Sequence, residues 1–448
     1  MEYEKIITGL VQDTVAQIMP AIFEKFTFAD IVSLTKESLD ALGRGLLETV
    51  CKAVDDTYEK QRPKGVQIKN RIKRRTILTT FGPVVLTRRL YRDVRTEQRF
   101  FAVDRLLQLP KNIRIEPNMQ AELIERAAKS SYRSAAQCGV SHQSVFNLVK
   151  KNAPKNSDVA LAHSNVKNVA QLYIEADEDH IHLNTGKSAE VKLVYVHEGR
   201  ARVNGRIQLI RPKFFVDISN KPERIWGRVA DYVAQSFDVE NAAVHLSGDG
   251  ANWIKTGMSY FPNVRFHLDK FHVVKSITSA AGGKRIEKQL ILNAIRNNDF
   301  NRVEQTYFSL LQEKSTYSDR KRTIDSLRYI DNNFDEISFD DDNLCSAEGH
   351  VSHVLSARMS SRPMGWSVAG ATRIANLRAF MYNGGDFTSL VKYTEREEEK
   401  TQNKKIVKRR KVNACYEQDY FGRVVGLDGI TDACAALLRS TLRARPLC

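Results

Sequence analysis

Two aspartates that directly follow apolar runs constrain this sequence most. Asp177 stands in QLYIEADEDHIHL, and Asp249 stands in AAVHLSGDGANWI. Apolar runs of this length predict buried strands, and an acid at the end of such a strand lies at the rim of the sheet. Glu348 adds a third acid in CSAEGHVSHVLSARMSSRPMGW, where loop-like residues give way to helical spacing. The three carboxylates together predict a site for two divalent cations.

The chemistry of phosphodiesters explains why this pattern is informative. Cleavage or transfer of a phosphodiester puts negative charge on the attacking and the leaving oxygen, and two Mg²⁺ or Mn²⁺ ions roughly 3.5–4 Å apart stabilise both. These hard cations prefer oxygen ligands. Each aspartate alone has an ordinary alternative role as a strand end that caps the next turn, because Asp is a preferred capping residue. The order and setting of all three acids favour phosphoryl chemistry on a nucleic acid.

Composition narrows the class of protein. A chain of 448 residues with 42% hydrophobic content predicts a globular protein of two to four domains. The net charge of +16 attracts polyanions, with nucleic acid as the leading partner. Six scattered cysteines without a CxxC pair support neither a disulfide framework nor a zinc finger. The sequence shows no apolar stretch of about 18 residues and no signal-peptide pattern, which predicts a cytoplasmic protein without a membrane partner.

The first third of the chain predicts a mostly α-helical DNA-binding region. Residues 1–62 have helical periodicity, and residues 63–155 combine a basic β-hairpin around Phe81-Gly82-Pro83 with further helices. An ordinary basic surface hairpin is an equal alternative to DNA contact, since charge alone fixes no groove or sequence. The hairpin cations that we assign to DNA are Arg74, Arg75, Arg88 and Arg89.

The segment SYRSAAQCGVSHQSVFNLVKK has the pattern of a helix-turn-helix. Gly139 and Val140 form the turn, and Ser141 caps a second helix. A small-residue helical hairpin in a core is the alternative. The residues predicted to face a major groove are Gln143, Ser144 and Asn147, with Lys150 and Lys151 near phosphates.

After a linker at 151–165, the order of elements is β-β-β-α-β-α-β-α. Strands are predicted near 170–177, 191–197, 207–217, 242–247 and 264–268. This is the ribonuclease H-like order, in which the first strand is central and Asp177 and Asp249 lie on neighbouring strands at the edge where ligands gather. We divide the remainder into a first core part at 166–282, a helical insertion at 283–340, a final core part with Glu348 at 341–385, and a basic tail at 386–448.

These segments resemble the DDE transposases of bacterial insertion sequences, most closely the ISLre type within the mutator-like group. The resemblance extends over nearly the whole chain and rests on five segments in order: TTFGPVVLTRRLY, LYIEADEDHIHL, LSGDGANWIK, HLDKFHVVKSI and CSAEGHVSHVLSARMSSRPMGWS. It implies that Asp177, Asp249 and Glu348 hold two Mg²⁺ or Mn²⁺ ions. It also draws attention to Asp269 and His272, because LDKFH resembles the Asp/Cys-x-x-His element of mutator-like transposases.

The function implied is binding of terminal inverted repeats, followed by metal-dependent strand cleavage and transfer into target DNA. The protein would act as a homodimer or higher oligomer at the bacterial nucleoid. A ribonuclease H-like nuclease without strand transfer and an inactive helix-turn-helix regulator are the alternatives. Glu175 and Asp179 are rival ligands to Glu348 if the strand persists past Asp177. His272 has an equal alternative as a structural histidine bonded to Asp269.

Overall fold

The computed structural model of the protein describes residues 2–19, 26–137, 139–155, 166–337 and 345–397. Residues 156–165 of the predicted linker and the basic run 400–411 lie outside the described residues. Within the described residues there is no helix with the length and apolar character that a membrane crossing needs.

The N-terminal part consists of two helices, a three-stranded antiparallel sheet and four shorter helices. A capping box between Thr27 and Asp30 begins the second helix, which is 34 residues long. The helices and strands are α1 (Glu2–Ile18), α2 (Phe28–Gln61), β1 (Val66–Thr79), β2 (Gly82–Asp93), β3 (Arg99–Phe101), α3 (Ala102–Leu106), α4 (Pro117–Lys129), α5 (Tyr132–Ala135) and α6 (His142–Asn152).

A five-stranded mixed sheet forms the centre of the chain. The elements of this part are β4 (Lys167–Asn168), β5 (Gln171–His182), β6 (Ser188–His197), β7 (Arg200–Val203), β8 (Arg206–Leu209), β9 (Lys213–Asp217), α7 (Pro222–Ser236), β10 (Phe237–Asp238), β11 (Ala243–Gly248), α8 (Asn252–Lys255), a 3₁₀ helix (Thr256–Tyr260), β12 (Val264–Leu268) and α9 (Lys270–Ala281). The strand order in the sheet is β12-β11-β5-β6-β9. On one side β5 pairs antiparallel with β6, and on the other it pairs parallel with β11.

Helices follow the sheet to the end of the described chain. Three of them fall in the predicted insertion and pack with α9 around a separate apolar core. They are α10 (Arg285–Arg296), α11 (Phe300–Glu313) and α12 (Tyr317–Asp331), and they are followed by α13 (Ala347–Val351), a π-helical turn (Ser352–Ser356), α14 (Ala357–Met359), α15 (Val368–Tyr382) and helical residues 387–397.

The alternation of side chains along β5 separates two cores. Leu172 and Ile174 point to one face and pack against α7. Ile181, on the other face, packs in a larger core that includes residues of α4, α6, α13 and α15. The three acids at 175, 177 and 179 belong to this second face, because the side-chain period of a strand is two.

Residues on the two sides of the predicted boundary near 155–166 pack against each other. Residues up to Thr394 form one compact unit, and α4 and α6 share an apolar core with α13 and α15. Arg358 Nε donates to the carbonyl of Ala127 at 3.1 Å, and Arg378 Nη1 donates to that of Ala128 at 2.7 Å. These hydrogen bonds join residues more than 200 positions apart, so no local pattern in the sequence indicates them.

Candidate active site

The strand that carries Asp177 is longer than the sequence indicated. It continues through the polar residues to His182, because β6 pairs with it as far as Ser188. Glu175, Asp177 and Asp179 therefore lie on one face of the sheet, and all three are buried. The alternation that made Glu175 and Asp179 rival ligands is present.

Contacts distinguish Asp177 from these two neighbours. Its Oδ1 accepts the backbone N–H of Glu178 at 2.8 Å, and its Oδ2 is buried without a hydrogen-bond partner. A buried acceptor without a partner is unfavourable unless a ligand satisfies it. Asp177 thus offers a free oxygen inside the site.

Both carboxylate oxygens of Glu175 and of Asp179 have hydrogen-bond partners. Glu175 accepts hydrogen bonds from Tyr195, His197, Arg200 and Ser346. Burial opposes ionisation of this carboxyl, but His197 and Arg200 outweigh it and hold the pKa of Glu175 well below its usual range. Both carboxylate oxygens of Asp179 accept the Ser360 hydroxyl, at 2.8 and 2.9 Å. Of the three acids on this face, Asp177 is the one that has a buried oxygen without a hydrogen-bond partner.

Asp249 follows the end of β11, the parallel neighbour of β5. The register pairs Ser247 with Glu175, so two further residues bring Asp249 level with Asp177. Gly248 allows this approach, since a Cβ there would lie 2.8 Å from the carbonyl of Ala176, and Gly250 turns the chain with a φ of +90°. The Asp249 Oδ1 caps the next turn by accepting the Ala251 N–H at 2.9 Å.

His272 lies on the first turn of α9, and Asp269 caps that helix by accepting the Phe271 N–H at 2.9 Å. The imidazole Nε2 of His272 lies 3.8 Å from Asp177 Oδ2, 3.8 Å from Asp269 Oδ2 and 3.7 Å from Glu348 Oε2. These distances are too long for hydrogen bonds, and Nε2 is buried without a partner. His272 is therefore not hydrogen-bonded to Asp269 through Nε2, and its imidazole faces three carboxylates.

Electrostatics at His272 follow from this arrangement. Burial disfavours the imidazolium, but the negative charges of Asp177, Asp269 and Asp249 outweigh burial and raise the pKa of His272. Burial also raises the pKa of Asp269, while the neighbouring His272 lowers it. The site therefore favours a positive charge at its centre.

Glu348 reaches the site from the first turn of α13, with its side chain about half exposed. The start of this helix is fixed because the Ser346 N–H donates to Glu175 Oε2 at 2.6 Å. Ala347 and Val351 are buried beneath it. The helix continues into the π-helical turn Ser352–Ser356, a feature that is frequent at functional sites.

Asp177, His272 and Glu348 each place one ligand atom within 4.8 Å of the others. Two carboxylates and an imidazole, with Asp177 Oδ2 and His272 Nε2 unsatisfied, fit a divalent cation. Asp249 is not part of this group, although it lies close enough to raise the pKa of His272. The structure thus brings together two of the three predicted acids and the predicted histidine, with the third acid on the adjoining strand end.

Three of the four hairpin arginines assigned to DNA contact have internal partners instead. Buried Arg88 pairs with Asp104, Arg75 donates to the same carboxylate at 3.1 Å, and Arg89 pairs with Asp55 at 2.7 Å. They fix the hairpin to α2 and α3, and their acidic partners lie 16 to 34 positions away in sequence. Of the four, Arg74 is exposed.

The polar side chains of α6 lie where the helix-turn-helix pattern placed them. Gln143 and Asn147 are exposed, and they bond to each other at 3.3 Å. Ser144 is held by the cap, since its N–H donates to Ser141 Oγ at 3.1 Å. Lys150 and Lys151 are exposed at the end of the helix.

Comparison with known proteins assigns the chain to a family. The model of an uncharacterised protein family, UPF0236, matches residues 22–397. The chain belongs to the UPF0236 family. A UPF0236 protein of Caldanaerobacter subterraneus subsp. tengcongensis is 32% identical over 385 residues, which cover 84% of this chain and 82% of the relative. Another UPF0236 protein of the same organism is 33% identical over 367 residues, covering 80% and 78%, and its name joins eleven numbered designations.

A more distant relative comes from another organism. A UPF0236 protein of Streptococcus gallolyticus, named for its position in the vanSb 3′ region, is 24% identical over 250 residues. The match covers 52% of this chain and 54% of that protein.

Proposed function

We propose that this UPF0236 protein is a metal-dependent DNA transposase that binds the ends of an insertion sequence and cleaves and rejoins DNA strands. The observation that carries the proposal is the convergence of Asp177, His272 and Glu348 within 4.8 Å, beside the strand end that holds Asp249. A central first strand, with antiparallel neighbours on one side and parallel neighbours on the other, supports a ribonuclease H-like core.

Asp177, Asp249 and Glu348 are the oxygen ligands that would hold Mg²⁺ or Mn²⁺. Bound there, the ions would stabilise negative charge on the attacking and leaving oxygens of the phosphodiester. Two further side chains of the site have roles beside these ligands. His272 would donate a hydrogen bond to a phosphate oxygen, and the hydrogen bond between Ser346 and Glu175 fixes the Glu348 helix against β5.

A second line of support comes from the relatives. One name joins eleven designations in one organism, and a further relative from that organism carries four. Repetition of nearly the same protein is expected of an element that inserts copies of its own gene. A nuclease without strand transfer would share the acids, and a regulator that only binds DNA would not need a buried free carboxylate oxygen at Asp177.

The test is cleavage and joining of a DNA fragment that carries the flanks of the gene, with Mg²⁺ or Mn²⁺. We expect Asp177→Asn, Asp249→Asn and Glu348→Gln each to abolish cleavage and leave DNA binding intact. Asp179→Asn is the matched control, because that acid is bonded to Ser360. Cleavage without joined products would favour the nuclease, and wild-type rates in any of the three variants would remove that residue from the ligand set.

A further inference from the structure

A basic cleft lies between the three-stranded sheet and the turn that begins α6. Its volume is about 1170 Å³. It is lined by residues of β1, β2 and β3, by residues between 104 and 115, and by residues between 139 and 144. The cleft is remote in sequence from the acidic site, and it borders both halves of the predicted DNA-binding region.

The charge of this cleft is positive and uncompensated. Asp104 is the acid that lines it, and this carboxylate is already paired with Arg75 and Arg88. Within the described residues, four further cations of the cleft are exposed and have no acidic partner: Arg74, Arg99, Lys111 and Arg114. A concave surface with several free cations of one sign attracts a polyanion.

The aromatic residues of the cleft make it a poor site for single-stranded nucleic acid. Single-stranded nucleic acid is bound by stacking of its bases on free aromatic faces. The guanidinium of Arg105 covers the ring of Phe100 at 3.7 Å, and that of Arg88 covers the ring of Phe101 at 3.8 Å. One face of each ring is therefore covered by a guanidinium, and Tyr91 also stacks on Phe100 with ring centroids 5.8 Å apart. This disfavours stacking of bases, and the cations are the main groups available to a ligand.

The position of α6 indicates which polyanion the cleft fits. Ser141 and Ser144 line it, the exposed Gln143 lies on the same turn of the helix, and the exposed Asn147 lies one turn further. When a helix reads the major groove, its N-terminal residues contact base edges, and helix N-termini and nearby cations also bind the phosphates of the duplex. Binding of these phosphates sets the register of the protein on the duplex.

We propose that this cleft binds the sugar-phosphate backbone of duplex DNA through Arg74, Arg99, Lys111 and Arg114, while α6 faces the adjoining major groove. The proposal rests on the proposed DNA-binding function and names the surface that performs it. It replaces the inward-facing Arg75, Arg88 and Arg89 with cations that the structure leaves free.

The experiment measures binding of the full chain to a labelled duplex of about 30 base pairs and random sequence, over a range of KCl concentrations. The chain carries Asp177→Asn, and EDTA is present, so cleavage does not interfere. Replacing the four cleft cations with Gln should flatten the slope of log K against log[salt] by about 0.9 for each phosphate that the variant no longer neutralises. Each single variant should weaken binding equally for all sequences.

The matched control removes the same charge elsewhere, through Gln at Arg285, Lys288, Arg302 and Lys321 of the helical insertion. An equal loss of slope in this control, or an unchanged slope in the cleft variant, overturns the proposal. Tighter binding of a single-stranded oligonucleotide than of the duplex, abolished in the cleft variant, overturns the duplex assignment. Absence of metal-dependent cleavage by the chain with Asp177 unchanged, together with a positive result for the cleft, would instead count against the proposed function alone.

Discussion

The backbone N–H of Ser346 donates to Glu175 Oε2 at 2.6 Å, and this bond joins the strand of Asp177 to the helix of Glu348. Glu175 is buried, and the same carboxylate is held by Tyr195, His197 and Arg200. Two acids that are two residues apart on one strand therefore have different tasks. Glu175 fixes the frame of the site, and Asp177 keeps an oxygen free within it.

Because Glu175 and Asp177 differ in their contacts, we expect their substitutions to have opposite effects on the stability of the protein. Glu175→Gln removes a charge that Arg200, the His197 imidazole and a backbone N–H contact in the interior, so we expect the free energy of unfolding to fall by about 3 kcal/mol. Asp177→Asn replaces a buried, partly unsatisfied carboxylate with a neutral amide, so the melting temperature should stay equal or rise while cleavage is abolished. Thermal unfolding beside single-turnover cleavage measures both. A stable Glu175→Gln variant would contradict the assignment of Glu175 as a structural anchor.

A second prediction concerns the charge at the centre of the site. His272→Ala removes the cation that faces Asp177, Asp269 and Glu348, so the carboxylates repel one another and the melting temperature should fall in EDTA. Added Mn²⁺ should restore most of this loss, because a bound cation replaces the imidazolium. Cleavage should remain slower by roughly 10²-fold or more, the scale of a group that acts on the reacting phosphate. Equal melting temperatures of the two proteins in EDTA would argue against the electrostatic role.

The sequence predicts the acids better than it predicts their surroundings. Asp177 and Asp249 follow apolar runs, and such runs are a local signal. The persistence of β5 to His182 is not local, since the polar residues are held in the strand by pairing with β6. No local pattern indicates the hydrogen bond between Glu175 and Ser346 either, because the two residues are 171 positions apart. The full length of β5 can be predicted only if the pairing of its polar residues with the apolar strand β6 is known.

The arginines of the β1–β2 hairpin likewise depend on residues that are distant in the sequence. Basic residues in a run predict a positive surface, and Arg74 has that role. Alternation turns Arg75 and Arg88 inward, and whether an acid pairs with them there depends on the distant Asp104. Composition therefore predicts the sign of the surface and not which arginines form it.

A third prediction tests the apolar core that α4 and α6 share with α13 and α15. Arg378 is buried and donates to the carbonyls of Ala128, His353 and Val354. Arg378→Leu leaves the carbonyls of Ala128 and Val354 without this donor, while that of His353 keeps the Tyr382 hydroxyl, and we expect a loss on the order of 3 kcal/mol in the free energy of unfolding. Arg373→Leu on the same helix is the control and should change stability little.

For the same reason a fragment of residues 1–155 should not fold by itself, because its buried Leu123 and Val149 pack against residues of the C-terminal helices. Circular dichroism and melting of the fragment check this expectation. A fragment that melts cooperatively and binds DNA would show that the N-terminal region is an independent domain.

The last prediction concerns acid stability and a histidine pair on neighbouring strands. His245 Nδ1 and His267 Nε2 lie 2.9 Å apart, an arrangement that needs at least one neutral ring. Burial, the neighbouring His245 and Arg265 lower the pKa of His267 to about 4, from 6.5 in an unfolded chain. The unfolded state therefore binds more protons between these values, so the contribution of His267 is present above about pH 6.5 and is lost as the pH falls towards 4. His267→Gln keeps a polar side chain and removes the titration. Its melting temperature should fall less steeply than that of the wild type over this range, and parallel curves would show that the pair does not set the acid sensitivity.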